Sequence, residues 1–342
     1  MQVQQPTGTL YIASRLRDRL ECLRPPIPLP PGPDRPRSRR LTYIRSPLAT
    51  GLAPSATQVS LGSRPAATHE TLDTAYDAER GIYWCRLRPT ERPCFSPELL
   101  RDIASMHAAI PDLFAAGSPL PAPRWFVCGS AIPGIYNLGG DLGLFRRLIA
   151  AGDRDGLLRY GHAAVEAIHR NHTALDLPMI TVALVQGDAL GGGFECALAH
   201  DLIVAERSAK FGLPEVLFNL FPGMGAASFL SRRIGRAAAE ALILSGEIHT
   251  AEAMHAMGLV DILAEDGEGE TALQAFIAKQ DRFHNARQAM ARARRRVDPV
   301  TIEELRDIVE IWADAAMRLS EQDLRRMARL CGAQDRRMAV AA

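Results

Sequence analysis

Apolar and polar positions change period repeatedly along this chain, and each change marks an element. From Thr71, the stretch TLDTAYDAERGIYWCRLRP reads as two strands around the turn Glu79-Arg80-Gly81, rich in aromatic residues and bounded by glycine and proline. In FSPELLRDIASMHAAI the period lengthens. Ser96 is placed to cap a helix, Pro97 to open it, and Leu99, Ile103 and Met106 follow at helical spacing. RWFVCGSAI (124–132) and MITVALVQG (179–187) are short continuous apolar runs, as expected of strands buried on both faces. A long helix is predicted between them, over about 156–172. CALAHDLIVAE starts with helical spacing and ends as a strand, and AKFGLPEV adds a short strand before a turn. Beyond Gly223 helical spacing dominates. Thr301 and Glu304 have the spacing of a capping box, and Ile302, Leu305, Ile308, Val309, Trp312, Ala315, Ala316 and Leu319 form one apolar stripe. Strands alternating with helices predict an α/β architecture.

The periodicity fails before about Ala67. RPPIPLPPGPDRPRSRR (24–40) cannot be helix or central strand, because proline fixes φ and lacks a donor. Residues 1–67 are expected to be a disordered Pro/Arg-rich arm and 68–265 the core. Residues 266–342 are expected to form a helical region over the active site or an oligomer interface. With 342 residues, 47% of them hydrophobic, the chain can bury a sizeable core. Lys+Arg of 40 against Asp+Glu of 39 gives no basis for a nucleic-acid or membrane-surface protein. The six cysteines include no C-x-x-C pair, which fits reduced thiols rather than a disulfide framework. No apolar run has the length of a membrane span. The expected location is cytoplasmic, with a transit peptide as the alternative reading of the arginine-bearing start.

Candidate chemistry concentrates in GDALGGGFECALAHDLIVAERSAKFGLPE (187–215). A buried strand ends in Gly191, Gly192 and Gly193 and opens a helix, whose first N–H groups lack intrahelical acceptors. Glycine lets a ligand approach those donors, either a phosphate or a developing oxyanion. The spacing is not the G-x-G-x-x-G of a dinucleotide site, and the acid at Glu215 does not sit at a strand end. His169 and His172 lie three apart on a helix, a metal-compatible spacing, but no third ligand is nearby and no metal is expected.

VQGDALGGGFECALAHDLIVAERSAKFGLPEV, together with FPGMGAASFLSRRIGRAAAEALILSGEIHTAEAMHAMGLVD and the upstream NLGGDL, resembles the crotonase family of enoyl-CoA hydratases and isomerases. The resemblance implies a ββα spiral core. It also implies an oxyanion hole from the N–H groups of Gly140 and Gly192, with Glu195 and Glu215 as the acid–base pair. Glu206 matches no catalytic position and is expected to be a solvated surface acid. IYWCRLRPTERPCFSPELLRDI, SAIPGIYNLGGDLGLF and the helical tail are further similar to bacterial diffusible-signal-factor synthases. In ordinary hydratases the first oxyanion loop commonly reads like FAAGAD. Asn137, Leu138 and Gly139 depart from that pattern in a way that suits a carrier-protein thioester better than CoA.

This closer resemblance implies dehydration of a medium-chain 3-hydroxyacyl carrier-protein thioester to a cis-2-enoyl thioester, then hydrolysis to a free acid. A conventional enoyl-CoA hydratase and a weakly catalytic scaffold are the alternatives. No cofactor is expected beyond the carrier protein or CoA that bears the substrate. The resemblance also implies a homotrimer or hexamer, with a sensor kinase as candidate regulator. Pocket candidates are Leu138, Leu142, Phe194, Leu217, Phe218, Met224, Phe229 and Trp312. Cys196, beside Glu195, reads as a small packing residue. The run Arg287, Arg292, Arg294, Arg295, Arg296 reads as a solvated helix face, with an acidic carrier or a CoA phosphate as the alternative partner.

Overall fold

The computed structural model describes residues 69–341, so the expected disordered arm lies outside the described residues. A first sheet runs in the order β1 (Leu72–Asp77), β2 (Ile82–Leu87), β3 (Trp125–Ser130), β5 (Ile180–Val185), β7 (Leu202–Glu206), β10 (Ile262–Ala264). Only β1 pairs antiparallel within it, across the turn at Glu79–Gly81. A second sheet holds β4 (Gly134–Asn137), β6 (Gly187–Leu190), β8 (Lys210–Gly212) and β9 (Ile248–Thr250). Each of β3, β5 and β7 passes directly into β4, β6 and β8 of the second sheet before the chain turns helical. That repeated strand–strand–helix turn is the ββα spiral.

The period-2 pattern explains why the first sheet is covered on both sides. Phe126, Cys128, Ala183 and Val185 face the main core, while Trp125, Val127, Ile180, Val182 and Leu184 face the other way. The helices, in chain order, are α1 (Pro97–Ala109), α2 (Leu142–Ala150), α3 (Arg154–Thr173), α4 (Gly192–Leu198), α5 (Ala226–Ile234), α6 (Arg236–Ser245), α7 (Ala251–Ala256), α8 (Gly269–Gln280), α9 (His284–Val297), α10 (Ile302–Ala316) and α11 (Glu321–Ala341). Leu273 and Ile277, one turn apart on α8, close the outer sheet face. Ser96 caps α1 through Leu99 N at 3.2 Å. After residue 265 the helices divide their tasks. While α8 covers the sheet, α10 packs along α3, and α11 packs against α2 and the 3₁₀ turn Pro214–Phe218.

Three expectations about charged residues are corrected. Glu206 is buried rather than solvated: its Oε1 accepts from Gln186 Nε2 at 2.8 Å and from Gly269 N at 3.0 Å, satisfying a donor at the start of α8. The capping box forms by half. Thr301 Oγ1 accepts from Glu304 N at 3.1 Å, but the Glu304 carboxylate turns instead to Ser228 and Arg232. The α9 arginine run is not simply a solvated face either. Arg294 and Arg295 both bind the carboxylate of buried Asp201, which also accepts from Thr181 N at 3.0 Å.

Asp201 therefore ties α9 to β5. Replacing it with Asn leaves the mostly buried Arg295 guanidinium without its counter-charge. We expect Asp201→Asn to lower unfolding free energy by about 3–5 kcal/mol, read from urea midpoints. A change within about 0.5 kcal/mol would remove the anchoring role.

Candidate active site

The glycine triplet sits where β6 ends and α4 begins. Gly191 adopts φ +52° and ψ −127°, and a Cβ there would lie 2.5 Å from Glu215 Oε1. Glycine is needed at this position because the backbone is left-handed and the Glu215 carboxyl occupies the side-chain space. A Cβ on Gly193 would run into the carbonyl oxygen of Asn137, so α4 packs directly on the backbone at the end of β4. That contact brings the upstream loop, Asn137 to Asp141, against the triplet. The Cβ position of Gly139 is 3.1 Å from Gly192 N.

The upstream loop is held from several sides. Asn137 Oδ1 accepts from Gly139 N at 2.8 Å, and Asp141 caps α2 through Leu144 N at 2.9 Å. The Tyr160 hydroxyl of α3 donates to Phe95 O at 2.6 Å and accepts from Asp141 N at 3.3 Å. Its ring meets Phe145 edge-on, and Phe145 in turn meets Trp312 edge-on at 5.1 Å. Gly140 and Gly192 thus reach one cavity from two loops, and among the described residues neither N–H has an acceptor. Two pre-positioned donors of this kind suit an oxygen that gains negative charge.

Glu195 lies on α4 only 1% exposed, and its Oε1 accepts from Met224 N at 2.8 Å and Ala226 N at 2.9 Å. Those two bonds fix the carboxyl and favour its ionised form. Burial and the charge of Glu215 outweigh them, pushing the Glu195 carboxyl up to about 8. Glu215, on the turn Pro214–Phe218, is pushed up to about 7 by burial. Its Oε2 is buried with no hydrogen-bond partner among the described residues. Both carboxyls resist ionisation at one site, and their titrations are coupled through the charge of Glu215.

The cavity measures about 450 Å³ counting its mouth, and its lining is mostly apolar. Gly140, Gly192, Glu195, Glu215, Leu142, Phe218, Met224 and Trp312 all line it. Four other candidates do not. Leu217 is 51% exposed on the outer side of its turn. Phe194 is absent from the cavity lining and packs edge-on against Phe211 at 5.3 Å. Phe229 packs on His172, and Leu138 is buried outside the cavity lining.

Phe145, Tyr160 and Leu220 line the cavity and are absent from the sequence-based candidates. Phe145 had a usable signal, since it sits three positions after Leu142 on the helix that follows NLGGDL. Tyr160 had none, because its role depends on where α3 crosses the loop. Trp312 closes one side from α10. Its indole lies over Gly223, where a Cβ would stand 2.6 Å from Cδ1. Burial and the charge of Arg295 push His172 down to about 3, which fits packing against Phe229 rather than a metal pair with His169. Among the described residues no group of three His, Cys, Asp or Glu side chains could hold a metal ion.

Known proteins share this fold. Residues 158–315 match the family described as enoyl-CoA hydratase/isomerase. The human mitochondrial delta3-delta2-enoyl-CoA isomerase superposes with a TM-score of 0.64 at 17% identity, covering 78% of this chain and 99% of that one. The fold is a crotonase fold. Pseudomonas aeruginosa DspI gives a TM-score of 0.56 at 25% identity, over 70% of this chain and 93% of that one. A probable mitochondrial enoyl-CoA hydratase 2 of Arabidopsis thaliana is 34% identical over 185 residues, 53% of this chain and 56% of that protein. The chain thus spans about half the length of the curated relatives it matches. The matched family segment contains Gly192, Glu195, Glu215 and Trp312, whereas Gly140 lies upstream of it. Among the described residues no helix is long and apolar enough to cross a membrane.

Proposed function

We propose that this chain is a crotonase-type enzyme that eliminates water from a medium-chain 3-hydroxyacyl thioester and then hydrolyses the thioester. The single observation that carries the reading is the pairing of Glu195 and Glu215 at the cavity where the Gly140 and Gly192 donors stand free. With its oxygen between those donors, a thioester's α-carbon becomes acidic enough to lose a proton, because the enolate oxygen is held as it forms. One carboxylate takes that proton while the other carboxyl protonates the β-hydroxyl as it leaves. The same oxyanion hole serves water attack on the carbonyl: a C–O bond forms, the C–S bond breaks, the carrier thiol leaves with a proton, and a free cis-2-unsaturated acid remains. The departure of Asn137, Leu138 and Gly139 from ordinary hydratase loops favours a carrier-protein thioester over CoA.

The second reading is a conventional enoyl-CoA hydratase, which the names of the curated relatives favour. Both glutamates at one site speak against the weakly catalytic scaffold. Assembly as a trimer or hexamer, and a sensor-kinase regulator, belong to the same proposal. Leu217, with exposed Leu244 and Ile248, provides apolar surface consistent with such assembly.

The deciding experiment incubates the full chain with 3-hydroxydodecanoyl carrier protein and identifies the lipids by mass spectrometry. Free cis-2-enoic acid is expected. Reversible hydration of trans-2-enoyl-CoA alone, with no released acid, would establish the second reading instead.

A further inference from the structure

Gly140 takes its direction from a neighbouring stretch of chain that makes no contact with the glutamates' chemistry. Residues 93–95 run beside 138–141: Leu138 N donates to Pro93 O at 2.7 Å, and Phe95 N donates to Gly139 O at 2.8 Å. Phe95 and Gly140 form a parallel β-bridge. In such a bridge the residues on either side of Gly140 turn their groups to the partner, Gly139 its carbonyl and Asp141 its N–H. The N–H of the bridged residue itself faces the other way. For Gly140 that side is the cavity it lines.

Backbone alone does not close this bridge. The Tyr160 hydroxyl is inserted in it, accepting from Asp141 N at 3.3 Å and donating to Phe95 O at 2.6 Å. A Cβ on Gly140 would stand 3.5 Å from that hydroxyl oxygen and 2.6 Å from Phe145 Cζ. The Phe145 ring meets Tyr160 edge-on at 4.9 Å. Helix packing sets how far the hydroxyl reaches. A Cβ on the next residue, Gly161, would lie 2.5 Å from Val309 Cγ1, so α3 rests directly on α10. Tyr160 is buried, and burial pushes its phenol well above the ordinary value, so it keeps the proton that Phe95 O accepts.

We propose that Tyr160 is the positioning residue of the oxyanion hole: by bridging Phe95 O and Asp141 N it holds the Gly140 N–H toward the thioester oxygen. This role rests on Gly140 and Gly192 serving as that hole. Without the hydroxyl, Phe95 O loses a donor and Asp141 N an acceptor inside the fold. The two chain segments, held apart by the inserted oxygen, then close on each other, and the Gly140 peptide follows. A misplacement of about 1 Å costs on the order of 10²-fold in rate. Gly192, Glu195 and Glu215 keep their own supports, since none of them bonds to Tyr160. A merely structural tyrosine would lower the melting temperature and leave the polarisation of a bound thioester unchanged.

The test reads the hole without turnover. A 4-(dimethylamino)cinnamoyl thioester, loaded on carrier protein and separately on CoA, absorbs at longer wavelength when hydrogen-bond donors polarise its carbonyl. The unmodified full chain is expected to red-shift the bound probe. Tyr160→Phe keeps the ring against Phe145, and it is expected to bind the probe with a smaller red shift. For the thioester that the unmodified chain turns over, its kcat should fall by about 10²-fold with little change in KM. An undiminished red shift and kcat in folded Tyr160→Phe would overturn the role of Tyr160 and leave the oxyanion hole standing. No red shift with the unmodified chain on either carrier would remove the hole itself, and the role of Tyr160 with it. If Tyr160→Phe fails to fold, replacing Tyr160 with 4-aminophenylalanine keeps a donor for Phe95 O but offers Asp141 N only a poor acceptor. A smaller red shift is again expected there, and an undiminished one would overturn the proposal.

Discussion

Glu195→Gln and Glu215→Gln are each expected to lower the elimination rate by about 10²–10⁴-fold, the usual contribution of a positioned acid or base. The substitutions separate chemistry from folding. A Gln at 195 keeps an oxygen that can accept from Met224 N and Ala226 N, so the turn before α5 retains its partner. A Gln at 215 occupies the same volume beside Gly191. Neither change disturbs the Gly140 and Gly192 donors, so substrate should still bind and the loss should fall on kcat rather than KM. The two losses should not add in a double variant, since one proton inventory serves both steps. Rates measured with 3-hydroxydodecanoyl carrier protein, alongside a melt of each variant, check this. Near-normal turnover in either folded single variant would remove that glutamate from the chemistry.

The sequence made the middle of the chain legible because each element there announces itself locally. β5 is apolar at every position but Thr181, α1 has its serine and proline at the start, and the glycine triplet marks a place where backbone must approach backbone. The two glutamates were singled out by the resemblance of the motif that holds them, and both line the cavity. Side-chain direction was harder to read. Phe194 adjoins Glu195 in sequence, yet α4 turns it to Phe211, and Leu217 adjoins the cavity-lining Phe218 yet faces solvent. Residues that act across the fold had no local mark at all. Glu206 caps α8 from a distant strand, Asp201 gathers two arginines from α9, and Tyr160 braces the upstream loop from α3. Their acids, amides and hydroxyls look like solvated surface residues until the crossings of the elements are known. Cys85, Cys128 and Cys196 belong with them, scattered along the chain and gathered around one small cavity only once β2, β3 and α4 are in place.

Removing either carboxyl should make the protein more stable at alkaline pH while it becomes less active. Burial raises both carboxyls, from 4.5 in the free side chain to about 8 for Glu195 and about 7 for Glu215. The unfolded chain therefore releases these protons first as pH rises. Their contribution to stability is fully present below the unfolded value and is lost progressively until pH passes the folded values. The loss amounts to several kcal/mol, on the order of 1.4 kcal/mol per pH unit for each proton at stake. Buried histidines shape the acid side in the opposite sense. His107 and His172 are pushed down to about 4 and about 3 by burial, so stability falls as pH drops below the ordinary imidazole value. The variants then differ in a telling way. Glu195→Gln removes the higher step and leaves Glu215 raised by its own burial. Glu215→Gln removes one step and lowers the other, because the Glu215 charge is part of what raises Glu195. Urea midpoints from about pH 5 to about pH 9 should fall steeply for the unmodified chain, less for Glu195→Gln, and should show a displaced single step for Glu215→Gln. Parallel curves for all three would mean that neither carboxyl holds its proton inside the fold.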